Sequence, residues 1–156
     1  MQKITPVLWF ETGAKKAAKF YVSVFGNDSQ ILNVSEMTDT PSGTVEIISL
    51  ELKGQTFTLM SAGPFHKFNP AISFVVNCDT QEEVDHYWNN LSAVPEAEQC
   101  GWLTDKYGIS WQVVPTALAR LLGDPDREKA SRVQQAMLKM KKIDIAKLEE
   151  AYNQSV

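Results

Sequence analysis

The stretch Cys100–Pro115, CGWLTDKYGISWQVVP, decides the fold. Its aromatic and β-branched residues lie on either side of Tyr107-Gly108. It therefore reads as a strand, a tight turn and a second strand, Ile109–Val114. The second strand carries one amide side chain, Gln112, among apolar neighbours. Either Gln112 touches a ligand at the floor of a pocket, or it is an ordinary strand residue.

Upstream, the same alternation recurs. Ile4–Phe10 reads as a short strand, broken by Glu11-Thr12-Gly13. Ala14–Phe25 has apolar residues at 17, 18, 20, 21, 24 and 25 with lysines between them, the period of an amphipathic helix. Gln30–Met37, Thr44–Leu52 and Thr56–Met60 read as strands, the last two joined through Lys53-Gly54-Gln55. After an irregular connector, SAGPFHKFN, a second round starts: strand Ala71–Cys78, then a helix capped by Asp79 or Thr80 with Glu82 and Glu83 in its first turn. Val84, Tyr87, Trp88 and Leu91 form its apolar face, and Ala93–Gln99 is a loop or short strand before the opening stretch.

This is an internal repeat. Phe20-Tyr21 falls on Tyr87-Trp88 at an offset of 67, and Pro6 falls on Ser73 at the same offset. The hairpin glycines, Gly54 and Gly108, match at 54, so the second copy is shorter. Each copy is a strand, a helix, then two or three antiparallel strands. Beyond Pro115 the chain turns helical: Thr116–Leu122, then Asp126–Lys141, then a helix capped by Asp144. The Met and Leu stripe of this tail is a packing face, either for this domain or for a partner chain.

The chain has 156 residues and a net charge of −4, with a pI near 5.2. That balance argues against a nucleic-acid partner, which calls for a basic stripe. Neither a secretory signal nor an apolar run near the ~18 residues of a membrane span is present, so no membrane partner and a cytoplasmic location are expected. The two cysteines, Cys78 and Cys100, form no C-x-x-C pair and no disulfide framework. Asp105, Lys106 and Tyr107 read as solvated turn residues. Cys78 reads as an inert buried thiol.

The repeated unit resembles the vicinal oxygen chelate (glyoxalase) superfamily. The segments ITPVLWFETGAKKAAKFYVSVFGN, AGPFHKFNPAISFVVNCDTQEEVDHYW and QCGWLTDKYGISWQVVP look like its PhnB-like branch, often labelled 3-demethylubiquinone 3-methyltransferase. The likeness runs over essentially the whole chain, helical tail included. It implies an α+β protein: two βαβββ modules (about 1–62 and 70–115) in a domain of residues 1–115, forming a curved mixed sheet with a concave cup. Residues 116–156 are then a helical C-terminal extension. The resemblance also implies a homodimer.

In such a fold the metal ligands come from the first and last strands of each copy. Carried over by motif, those positions are Pro6, Thr58, Ser73 and Gln112. Proline offers no side-chain donor, and hydroxyls are poor ligands for Zn²⁺, Ni²⁺ or Fe²⁺. No divalent metal and no other cofactor is therefore expected. His66, in the connector, and His86, on a helix, do not replace the missing ligands.

Alternation along the strands places Val7, Trp9, Ile72, Phe74, Val76, Trp111 and Val113 toward the helices. It places Leu8, Phe10, Thr58, Met60, Ser73, Val75, Asn77, Ser110 and Gln112 in the cup, with Pro6 and Val114. That lining suits a small molecule. Three functions compete on these residues: a metal-free binding protein, an enzyme of the superfamily (isomerase, lyase or dioxygenase type), and the methyltransferase of the label. The last lacks a Gly-rich nucleotide turn after its first strand.

Overall fold

The computed structural model describes residues 2–154. Its described residues divide after Phe68 into two compact units.

The first unit contains β1 (Val7–Phe10), α1 (Ala14–Phe25), β2 (Ser29–Thr40), β3 (Gly43–Leu52) and β4 (Gln55–Ser61). The strands pair in the order β1-β4-β3-β2, with β1 parallel to β4 and the other pairs antiparallel. The β3–β4 turn is two residues long, Lys53 and Gly54, with φ of 49° and 85°. Positive φ at both positions matches the turn to the right-handed twist of the strands. One face is buried: Ile48, Leu50, Phe57 and Leu59 lie beneath Ala17, Ala18, Tyr21 and Val24 of α1. The helix begins at Gly13 and stops at Gly26, whose φ is 69°.

The second unit contains β5 (Ser73–Cys78), α2 (Gln81–Leu91), β6 (Trp102–Thr104) and β7 (Ser110–Pro115). The order is β5-β7-β6, with β5 parallel to β7. Thr80 caps α2: its hydroxyl accepts from the Glu83 N–H at 3.2 Å, and the Glu83 carboxylate accepts from the Asp79 N–H at 3.1 Å. Val84, Tyr87, Trp88 and Leu91 bury against the sheet, as their spacing predicts. Where the first unit has the long β2, the second has a 3₁₀ turn, Pro95–Ala97, and a single bridge, Gln99–Trp102. The α+β repeat is present, and its second copy is one strand shorter.

The turn between β6 and β7 corrects one expectation. Asp105 is not solvated; it is 1% exposed. Its carboxylate accepts from the Tyr107 and Ile109 backbone N–H groups at 2.8 and 3.1 Å and from the Trp111 indole N–H at 2.9 Å. A single acceptor-only group satisfies three donors, so a buried charge is tolerated here.

The tail forms α3 (Thr116–Leu122), α4 (Arg127–Leu138) and α5 (Ile145–Asn153), and it packs on its own unit. Leu118, Leu121, Val133, Ile143 and Leu148 make a small core with Val114 of β7 against it. Backbone N–H groups of Cys100 and Gly101 donate to the Met140 and Lys141 carbonyls at 2.9 and 2.8 Å. Gln81 of α2 grips the tail twice, donating to the Ile143 carbonyl at 3.0 Å and accepting from the Ile145 N–H at 2.8 Å. Among the described residues no helix is long and apolar enough to cross a membrane.

Candidate functional site

The two sheets differ in which expected residues share a face. In the second unit the expectation holds. Ser73 pairs with Ser110, and Val75 pairs with Gln112, which pairs in turn with Trp102 of β6. Paired residues share a face, so Ser73, Val75, Asn77, Ser110, Gln112 and Val114 stand together, opposite the α2 side. The α2 side holds Phe74, Val76, Trp111 and Val113, with the Phe74 and Trp111 rings 5.4 Å apart. Gln112 is half-buried and donates its amide N–H to the Ser73 hydroxyl at 2.9 Å. Ser110 is buried, while Val75 and Asn77 are exposed.

In the first unit the structure corrects the faces. Val7 pairs with Thr58 and Trp9 with Met60, whereas Leu8 pairs with Leu59 and Phe10 with Ser61. The Ser61 hydroxyl accepts from the Ala14 N–H at 2.9 Å, which marks that side as the α1 side. Leu8 and Phe10 therefore lie under the helix, and Phe10 is only 4% exposed. Val7 and Trp9 join Thr58 and Met60 on the open side. Pro6 falls in phase with Leu8, away from Thr58, although its carbonyl accepts from the Thr58 N–H at 2.9 Å.

The cause is a single residue. Val7 pairs with Thr58 as Val75 pairs with Gln112, so the first strands correspond at an offset of 68. The helices correspond at 67, since Ala17, Tyr21 and Val24 match Val84, Trp88 and Leu91. Three residues join β1 to α1, but only two join β5 to α2. A one-residue slip moves every side chain of a strand to the other face. The first-copy counterpart of Ser73 is therefore Thr5, not Pro6. Trp102 and Thr104, the β6 residues on the Gln112 face, and Val7 and Trp9 escaped the sequence reading. The chain of pairings through Gln112 and Thr58 is the signal that locates them.

These positions do not fit the superfamily's metal. In the first unit Thr58 has no ligand-bearing partner at Pro6, and in the second Gln112 and Ser73 bond to each other through an amide and a hydroxyl. Catalytic divalent metals prefer imidazole, thiolate or carboxylate donors. Among the described residues, no group of three or more His, Cys, Asp or Glu side chains could hold a metal ion. His66 stacks edge-on against Trp9, ring centroids 4.9 Å apart, while the Trp9 indole N–H donates to the Gly63 carbonyl at 2.9 Å. His86 sits on α2 with its ring 5.1 Å from that of Tyr87. Cys78 is fully buried, and burial first, then the Glu83 and Asp79 carboxylates, pushes its thiol up to about 12. It stays protonated at neutral pH and is no nucleophile.

Comparison with known proteins agrees with this fold. The family model described as 3-demethylubiquinone-9 3-methyltransferase matches residues 2–114. The PhnB protein from Bacillus cereus is 33% identical, with a TM-score of 0.61, covering 74% of this chain and 100% of that one. Protein PA1353 from Pseudomonas aeruginosa is 19% identical with a TM-score of 0.56, covering 74% and 98%, and shares the fold. No curated protein matches the chain. The family match ends at residue 114, so the helical tail lies outside it, contrary to the expected whole-chain likeness. The chain belongs to this PhnB-like family of the glyoxalase/vicinal oxygen chelate superfamily.

Proposed function

We propose that this member of the PhnB-like family binds a small molecule on the open face of its second module, without a catalytic metal or other cofactor. The observation that carries the reading is the Gln112–Ser73 hydrogen bond of 2.9 Å. A half-buried amide and a hydroxyl are paired at positions where the superfamily fold carries metal ligands. Val75, Trp102 and Val114 share the face with them, and a few fixed polar groups beside apolar side chains are what orient a ligand.

The test is a thermal-shift screen of chelator-treated protein against small apolar compounds. Hits that persist after chelation and vanish in Val75→Arg support the reading. A site occupied at 100 times its Kd stabilises by about 2.7 kcal/mol, which such a screen detects. Stoichiometric metal that a chelator removes, together with ligand binding, would overturn it.

A homodimer belongs to the same proposal. Each unit leaves large apolar side chains more than half exposed, Ile4 and Val7 in the first and Ile72 and Val75 in the second, which association would cover. Sedimentation equilibrium as a monomer at micromolar concentration would contradict this.

A further inference from the structure

Resting on the binding reading above, we infer that the guest is a neutral, ring-bearing molecule that presents a hydrogen-bond donor beside an acceptor, as an amide or lactam does, and not an anion.

Charge is absent from the strands of this sheet. The three strands of the second sheet read SFVVNC, WLT and SWQVVP. None carries Asp, Glu, Lys, Arg or His. The open face of this sheet therefore has no cation of its own to meet a carboxylate or a phosphate. An ion brought onto it loses hydration without a compensating charge. A neutral guest loses far less.

Gln112 donates through Nε2, and the Ser73 Oγ accepts. The Ser73 hydroxyl proton, the second Nε2 proton of Gln112 and its Oε1 then remain for a guest. The pair offers donors beside an acceptor, close together. A group with C=O beside N–H serves both kinds at once, whereas a carboxylate or phosphonate, being acceptor-only, leaves Oε1 without a donor.

Gln112 stands in a row of three side chains. Across the sheet the order is Val75, Gln112, Trp102. An exposed valine on one side and a half-buried indole on the other flank the amide. The next row is Ser73, Ser110, Thr104, all hydroxyls. Ser110 is buried, so a flat ring on the indole with its polar edge toward the half-buried Ser73 hydroxyl fits this pattern.

The experiment is a two-dimensional ¹H–¹⁵N NMR titration of the full chain with three probes of one size: benzamide, benzoate and phenylphosphonate. Benzamide is expected to shift the Ser73, Val75, Trp102 and Gln112 resonances, with both anions at least 10-fold weaker. Gln112→Leu, whose spectrum reports folding directly, is expected to weaken benzamide about 10-fold. Benzoate equal to benzamide on these resonances overturns the inference and leaves the binding reading standing. Equal benzamide affinity in the wild type and Gln112→Leu also overturns it. If none of the three probes moves these resonances at millimolar concentration, the binding reading itself falls.

Discussion

The Asp105 carboxylate accepts a hydrogen bond of 2.9 Å from the Trp111 indole, joining the last hairpin turn to the strand that carries Gln112. Two more donors, the Tyr107 and Ile109 backbone N–H groups, converge on the other oxygen. Asp105→Ala strands three donors in a site 1% exposed, at a cost of about 2–4 kcal/mol. Asp105→Asn keeps one acceptor and is expected to lose less. Urea unfolding followed by tryptophan fluorescence checks the order wild type, then Asn, then Ala. An unshifted midpoint for Asp105→Ala would contradict the role given to this group.

Gly101 fixes where the tail docks. Its φ is +87°, and an added Cβ would stand 3.0 Å from the Val113 carbonyl oxygen and 3.3 Å from Ile143 Cγ1. Gly101→Ala is therefore strained by its backbone and by its neighbours, and about 1–3 kcal/mol is expected. Gly26 has φ +69° with ψ −134°, a backbone shape that favours glycine, but open space around it, so Gly26→Ala bears backbone strain alone, about 1–3 kcal/mol. Limited trypsin digestion should cut Gly101→Ala faster after Lys139, Lys141 and Lys142, and Gly26→Ala no faster there than wild type. Cutting at these lysines no faster in Gly101→Ala than in wild type would remove the steric argument.

The repeat, the α+β class and the three tail helices were legible because each rests on a period the sequence displays. Val84, Tyr87, Trp88 and Leu91 announce a helix face without any knowledge of neighbours. The faces of β1 were not legible. Leu8 and Trp9 are both large and apolar, so alternation alone cannot say which meets α1, and a one-residue difference in the loop to the helix reversed the answer. Asp105 was misread for a related reason. An aspartate in a turn is ordinarily solvated, and Trp111 folding back over the turn adds a side-chain donor to the two backbone ones. Gln112 and Ser73 were legible as neighbours on one face because β5 and β7 pair in parallel with no slip between them.

Cys78 predicts an alkaline instability. Its thiol ionises near 9.0 in an unfolded chain and at about 12 in the fold, raised first by burial and then by Glu83 and Asp79. Between those values the folded state holds a proton that the unfolded state has released. Stability from this group is complete below pH 9 and is lost as pH rises toward 12, by up to about 1.4 kcal/mol per pH unit. Tyr87, also raised by burial first, adds to the same trend above pH 10. Cys78→Ala should flatten, without abolishing, the decline in urea midpoint between pH 8 and 10.5. An unchanged slope in Cys78→Ala would show that the thiol does not carry it.

The grip of Gln81 on the tail makes a separate prediction. One amide satisfies the Ile143 carbonyl and the Ile145 N–H across more than sixty residues of chain. Its donor nitrogen is also 3.0 Å from Asp85, which in turn meets Lys142 at 2.9 Å. The Gln81 hydrogen bond first, and the Lys142 hydrogen bond next, hold the Asp85 carboxyl below its ordinary range. Gln81→Ala removes both tail contacts and should cost about 1–2 kcal/mol. Hydrogen exchange separates this from a general loss. Protection should fall for residues 139–145 and hold in β7, and uniform loss across the unit would argue that the tail has no separate attachment.

The face assignments can be tested by building metal sites on them. Ser73 and Gln112 touch across β5 and β7, so Ser73→His with Gln112→His places two imidazoles on one face within reach of one ion. This double variant should bind Ni²⁺ or Zn²⁺ at micromolar Kd by isothermal titration, and each single variant should bind at least 10-fold more weakly. Pro6→His with Thr58→His should fail, because their side chains leave opposite faces of the first sheet. Thr5→His with Thr58→His should succeed, since continuing the alternation from Val7 returns residue 5 to the Thr58 side. Strong binding by the Pro6 and Thr58 pair would mean that β1 presents Pro6, and not Thr5, to the open face, and the one-residue offset between the two copies would be wrong.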